Sequence, residues 1–218
     1  MNWKEALRTN VTKAGELREY MDLTDSQIEH LNRILHQFPM TVTRYYLSLI
    51  DWNDPARDPV FRMCIPSISE TDLSGDFDTS GEADNTVISG LQHKYPQTAL
   101  ILSTHRCAMY CRHCFRKRLV GISDDETADN VAEMAAYVNA HSEISNILIS
   151  GGDAFVNSNQ VIAQYAMSHV TGKIEILGPV SQNKMLFKYH QAKYAKDYGR
   201  IFTGEMTPGQ AWLEEPAG

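Results

Sequence analysis

In "TDSQIEHLNRIL" the apolar residues Ile28, Leu31 and Leu35 recur at helical spacing, and Thr24 stands three residues ahead of Gln27. Side chains so placed can each satisfy the other's backbone N–H, so the pattern predicts a helix over 25–36. Pro39 should end it. The stretch "TVTRYYLSLID" that follows is apolar enough for burial and ambiguous between helix and strand; helix is the preferred reading. Residues 66 to 96 are rich in Ser, Asp, Gly and Pro and read as a loop region. Within them "DFDTSGEADNTV" places Asp76, Asp78, Ser80 and Gly81 at the offsets of a calcium loop, but its twelfth position is Val87. Valine supplies no bidentate oxygen, so an ordinary acidic loop is expected.

At Thr98 the pattern changes. "TALILST" and "NILIS" are short apolar runs that read as buried strands, and between them "DDETADNVAEMAAYVNAH" reads as a helix with an acidic first turn and Val131, Met134, Ala135 and Val138 inward. Strand, loop, helix, strand is a βαβ unit with parallel strands. Ligands of such sheets gather at the carboxyl ends of the strands. The loop after the first strand, "CAMYCRHC", and the "GGD" after the second both leave from that end, so topology alone should bring them together. Further on, "NSNQVIAQYAMSH" reads as a short helix. "GKIEILG" and "KMLFKYH" alternate like strands, joined as a hairpin through Gly178 to Asn183. Trp212, in the Pro- and Gly-rich tail, is expected to dock on the body.

Composition narrows the classes. Hydrophobic residues make up 43% and charged residues 22% of the 218, so the chain should fold in water around a core. Its first residues are charged from Lys4 onward, and no stretch approaches the roughly 20 apolar residues of a membrane span. A cytoplasmic protein with no membrane partner is expected. A net charge of −7 argues against nucleic acid. The basic run Arg116–Lys117–Arg118 stands against that trend; such runs usually form a solvated face, and the adjacent cysteines leave a site-lining role open.

In a reducing compartment, cysteines this close point to metal or catalysis rather than to disulfides. Cys107, Cys111 and Cys114 are spaced C-x3-C-x2-C, and Cys64, the only other cysteine, lies far upstream. Three thiolates on one loop can hold a cubane iron–sulfur cluster and leave one iron without a protein ligand. An open position marks a catalytic rather than a structural metal centre. The competing reading is zinc, with His105 or His113 completing the set.

These residues resemble the radical S-adenosylmethionine (SAM) enzymes, and within them the lysine 2,3-aminomutase family. "CAMYCRHCFRKR" is similar to the cysteine loop of that family, and "GLQHKYPQTALIL" before it and "LISGGDAFV" after it match in order and spacing. With "FRMCIPS", the resemblance runs over about residues 15 to 164. It implies that Cys107, Cys111 and Cys114 ligate a 4Fe-4S cluster whose open iron chelates SAM, and that reductive cleavage yields a 5′-deoxyadenosyl radical. It also implies that Gly151, Gly152 and Asp153 meet the methionine amino group, that His113 lies beside the adenine, and that Arg116 is the catalytic-site residue pairing with the carboxylate of a small amino-acid substrate. Two glycines and a carboxylate suit close approach to an ammonium, and a guanidinium suits a carboxylate. An electron donor of flavodoxin or ferredoxin type is implied as a partner. Cys64 matches no ligand and reads as a small buried residue.

Members of the family also hold pyridoxal phosphate on a lysine within a glycine-rich segment. That segment is absent from this sequence; Lys173 follows a lone glycine in "HVTGKIEILG", which resembles a C-terminal extension of some members. The match steps from about Tyr165 to this extension, which implies a large internal deletion. The expected fold is therefore α/β: an N-terminal helical region with an acidic loop (1–96), a truncated radical SAM core of partial TIM type (97–165), and a C-terminal β-hairpin with a tail (166–218). Homo-oligomerisation would cover the open sheet edge. The function implied is that of an aminomutase-like isomerase, active or left inactive by its missing strands. A non-catalytic iron–sulfur module and a zinc-stabilised interaction domain are the alternatives.

Overall fold

A computed structural model describes residues 3–168, 173–176 and 187–189, with side chains over 5–165. The chain is mixed α/β and divides into two compact units, one of Met1–Ser80 and Cys107–Ser123, the other of Gly81–Arg106 and Asp124–Gly218.

The first unit is helical. It holds α1 (Trp3–Arg8), a 3-10 turn (Ala14–Glu19), α2 (Asp25–Gln37), α3 (Arg44–Ser48), α4 (Pro59–Cys64) and a second 3-10 turn (Ile68–Thr71). α2 starts as its sequence predicts. The Gln27 N–H donates to Thr24 Oγ1 at 3.3 Å and the Thr24 N–H to Gln27 Oε1 at 2.8 Å. "TVTRYYLSLID" yields the helix α3, capped by Thr43 Oγ1, which accepts from the Tyr46 N–H at 3.1 Å. α4 begins with Asp58 accepting from the Phe61 N–H at 2.8 Å and with Pro59 in the first turn, where a missing N–H costs nothing. Leu17, Ile34, Val42, Leu47 and Cys64 are buried within the unit, as are Met109 and Leu119 from its later segment.

The second unit is a mixed sheet with helices. After the single turn α5 (Glu82–Asn85) come β1 (Thr86–Ile88), β2 (Leu91–Tyr95), β3 (Thr98–Leu102), α6 (Val131–Ala140), β4 (Asn146–Ser150), α7 (Asn159–Ser168), β5 (Lys173–Ile176) and β6 (Phe187–Tyr189). The strands lie in sequence order. β3, β4 and β5 are parallel, in the register Leu100↔Leu148↔Glu175, while β2 and β6 run antiparallel beside them. Leu91, Ala99, Ile101, Ile147 and Ile149 form one cluster with Met134 and Val138 of α6 and Ile162 and Tyr165 of α7.

Two local readings change. The acidic run Asp124–Glu126 precedes α6, which begins after Asn130, whose Oδ1 accepts from the Glu133 N–H at 3.2 Å. The region read as loop ends in the β1–β2 hairpin, closed by Ser89 and by Gly90 at φ +75°, a conformation suited to glycine. β5 and β6 pair antiparallel as the predicted hairpin requires; their connection and Trp212 lie outside the described residues.

Candidate metal and cofactor site

In the first unit the loop 107–123 is fixed through the residues between its cysteines. Asn10 Nδ2 donates to the Ala108 carbonyl at 3.1 Å and to Thr41 Oγ1 at 2.8 Å. The Tyr110 N–H donates to the Thr41 carbonyl at 3.1 Å and the Arg112 N–H to the Met63 carbonyl at 2.8 Å. Met109 is fully buried. Cys107, Cys111 and Cys114 stay half-buried and none of the four cysteines forms a disulfide. The Cys114 N–H donates to the Cys111 carbonyl at 3.1 Å. Burial, followed by the charge of Cys114, pushes the Cys111 thiol above its ordinary value. Among the described residues no three His, Cys, Asp or Glu side chains come together as a single metal ion requires. The ligands of a cubane bind separate irons and need not converge on one point, so three accessible thiols on an anchored loop fit a cluster in donor chemistry.

The basic run is no solvated face. Arg116 is buried, its guanidinium 4.6 Å from the centroid of the Phe115 ring, and Lys117 and Arg118 are half-buried. Arg118 pairs with Asp78 at 3.8 Å, which places that aspartate of the acidic loop in an ion pair. His113 is exposed.

Arg112 and Lys117 meet on a carboxylate that sequence reading did not single out. Arg112 Nη2 lies 2.6 Å from Glu70 Oε2 and its Nε 3.1 Å from Oε1, while its other donors reach the Pro39 carbonyl at 2.8 Å and the Phe38 carbonyl at 3.1 Å. Lys117 Nζ donates to Glu70 Oε2 at 2.5 Å and lies 4.3 Å from the centroid of the Phe38 ring. Burial pushes the Glu70 carboxyl up, but the bonds from Arg112, Lys117 and the Ser67 N–H outweigh it and hold the group below its ordinary value.

In the second unit the turn after β4 is built by backbone contact. β3 and β4 end in register at Leu102↔Ser150, and the pairing continues beyond both strands. The Ser103 N–H donates to the Ser150 carbonyl at 2.9 Å, the Gly152 N–H to the Thr104 carbonyl at 2.6 Å and the Asp153 N–H to the Arg106 carbonyl at 2.7 Å. Side chains have no room here. A Cβ on Gly151, which has φ +116°, would lie 2.4 Å from the Thr104 oxygen, and one on Gly152 would lie 2.3 Å from the Arg106 oxygen. Asp153 is 3% exposed; its Oδ1 accepts from the Phe155 N–H at 3.0 Å, and burial pushes its carboxyl up. His105 is half-buried, with Nδ1 unpartnered among the described residues. Arg106 immediately precedes Cys107 in the chain, so the glycine turn fixes the backbone at the point where the cysteine loop begins.

No protein-family model matches the chain. Individual proteins do. The L-lysine 2,3-aminomutase of Clostridium subterminale is 35% identical over 164 residues, 74% of this chain and 39% of that protein. A protein of Aquifex aeolicus provisionally given the same name is 39% identical over 141 residues, 65% of this chain and 37% of its own. Over 65% to 74% of its length the chain is homologous to lysine 2,3-aminomutases, which are radical SAM proteins. The glutamate 2,3-aminomutase of Clostridioides difficile matches it almost as well, at 34% over 155 residues, so identity does not separate the two kinds of relative. The chain spans less than two fifths of the length of these relatives. Among its described residues, no helix is long and apolar enough to cross a membrane.

Proposed function

We propose that this chain binds a 4Fe-4S cluster on Cys107, Cys111 and Cys114, with SAM at the open iron, as a radical isomerase of the aminomutase type acting on a small amino acid. The observation that carries the reading is the loop itself: three half-buried thiols whose intervening residues are tied to Asn10, Thr41 and Met63 of the helical unit, in a chain homologous to lysine 2,3-aminomutases. When bound, these groups supply reductive cleavage of a carbon–sulfur bond and so a radical, chemistry that belongs to the cofactors.

The chain's own residues bind and orient. Gly151 and Gly152 let the turn after β4 pack against the backbone at Thr104 and Arg106, and in this proposal that turn meets the amino group of SAM. The Asp153 carboxylate favours a cationic ligand and rigidifies the turn through its bond from Phe155. Arg116, held against Phe115, is the candidate for a substrate carboxylate, and the exposed His113 for the adenine. The segmentation at about residues 96 and 165, a truncated core of TIM type, a cytoplasmic setting, a flavodoxin- or ferredoxin-type electron donor and homo-oligomerisation belong to the same proposal. Pyridoxal phosphate is not assigned a lysine in it.

Anaerobic reconstitution tests the reading. About four irons and four sulfides per chain are expected. Ala at Cys107, Cys111 or Cys114 should abolish this uptake while Cys64→Ala leaves it intact; equal loss from Cys64→Ala would sink the three-ligand assignment. SAM should then perturb the EPR signal of the reduced cluster, and Asp153→Ala should weaken that perturbation without lowering iron. A spectrum indifferent to SAM would instead favour an iron–sulfur module that turns nothing over.

A further inference from the structure

The segment from Cys111 to Cys114 carries Arg112 between two of the proposed ligands, and the side chain of Arg112 is 4% exposed. A guanidinium so far from water needs a matching anion and a full set of acceptors. Two backbone carbonyls and one carboxylate accept from Nε, Nη1 and Nη2. Glu70, 9% exposed, is the only carboxylate among the described residues that bonds Arg112, and it also takes Lys117, three residues beyond Cys114. Two cations that neighbour the cysteines in sequence therefore share one carboxylate.

We propose that Glu70 is a positioning residue for the cysteine loop: through Arg112 it fixes the Cys111–Cys114 segment before any cluster is bound, and its charge lowers the cluster's reduction potential. The proposal rests on the cluster reading above, but its test can fail separately. Glu70→Gln keeps the shape of the side chain and removes the anion; Arg112→Gln removes the cation from the same pair. Both break the clamp, so both should release iron to a chelator faster than the unmutated protein. Their potentials should move in opposite directions. Loss of the anion should favour reduction by about tenfold, which is about 59 mV upward for one electron, and loss of the cation should shift the potential downward. A purely structural role would move both the same way or not at all. The double variant should release iron no faster than the worse single variant, because the pair acts as one unit.

Failure of the unmutated chain to take up a cluster would overturn the function reading, and this proposal with it. A normal cluster in the unmutated chain, with unchanged potential and iron retention in Glu70→Gln, would overturn only the role of Glu70. Additive losses in the double variant would do the same. If Glu70→Gln does not fold, the double variant, which leaves no buried guanidinium at position 112, should recover folding; a double variant that stays unfolded overturns the assignment.

Discussion

Among the four cysteines, burial separates one from three. Cys64 is fully buried, its thiol donates to the Val60 carbonyl at 3.0 Å, and burial, followed by the charges of Asp58 and Cys111, pushes it from 9.0 up to about 12. A raised folded value means that the folded state prefers the neutral thiol. That preference contributes fully below pH 9, where the unfolded thiol is also protonated, and is lost as pH rises from about 9 towards 12. The cluster-free chain should lose about 1.4 kcal/mol of stability per pH unit from this group over that interval. Urea unfolding between pH 8.5 and 10.5 checks it: Cys64→Ala should flatten the alkaline decline, and parallel declines would show that the thiol ionises without unfolding. Cys107, Cys111 and Cys114 should be alkylated before Cys64, since access as well as thiolate character sets the rate.

The elements divide into those whose signal is local and those whose signal is not. The reciprocal Thr24–Gln27 bonds needed only residues three apart, and α2 forms as its sequence predicts. β3 and β4 were legible as apolar runs, and their shared end was legible from the parallel connection. The start of α6 was misread because acidic residues favour a helix N-terminus wherever it falls, whereas Asn130, six residues after Asp124, makes the cap. Asn130→Ala should cost about 1 kcal/mol in urea or thermal unfolding, as lost caps do. Met134→Ala should cost about 2–5 kcal/mol, because its fully buried side chain fills the space between α6 and the sheet. β1 and β2 were hidden in a polar, glycine-bearing stretch where the two-residue turn Ser89–Gly90 was the only cue. Glu70 was not legible at all. Its partners Arg112 and Lys117 lie 42 and 47 residues away, and no periodicity links them. The family resemblance pointed to cysteines and glycines, whereas the fold supplies the carboxylate that holds the loop between them. At the glycine turn the sequence pattern and the geometry agree, since backbone oxygens at 2.4 and 2.3 Å from an added Cβ leave glycine as the fitting residue at both positions.

At the scale of the whole molecule, the parallel run β3, β4, β5 is bordered by antiparallel neighbours, β2 on one side and β6 on the other. A barrel of TIM type instead closes parallel strands on one another and builds its site from loops at the ends of many of them. Here the cysteine loop and the glycine turn come from the ends of two strands, and Arg116 is the one residue proposed for a substrate contact. A 1,2-amino shift asks for more, since the migrating nitrogen must be held while the radical passes, and a displacement of about 1 Å can cost on the order of 100-fold in rate. The pyridoxal imine that would hold it needs a lysine on a defined support. Lys173, where β5 begins, pairs through its backbone with Asn146 and follows a single glycine. The 218-residue chain is therefore expected to take up the cluster and respond to SAM, yet to show no imine absorbance with pyridoxal phosphate and no conversion of α-lysine to β-lysine under reducing, anaerobic conditions. Chromatographic assay of both lysines, run beside the absorbance spectrum, makes the measurement. β-Lysine formation together with an imine band that disappears in Lys173→Ala would overturn the expectation and place an aminomutase site on this sheet.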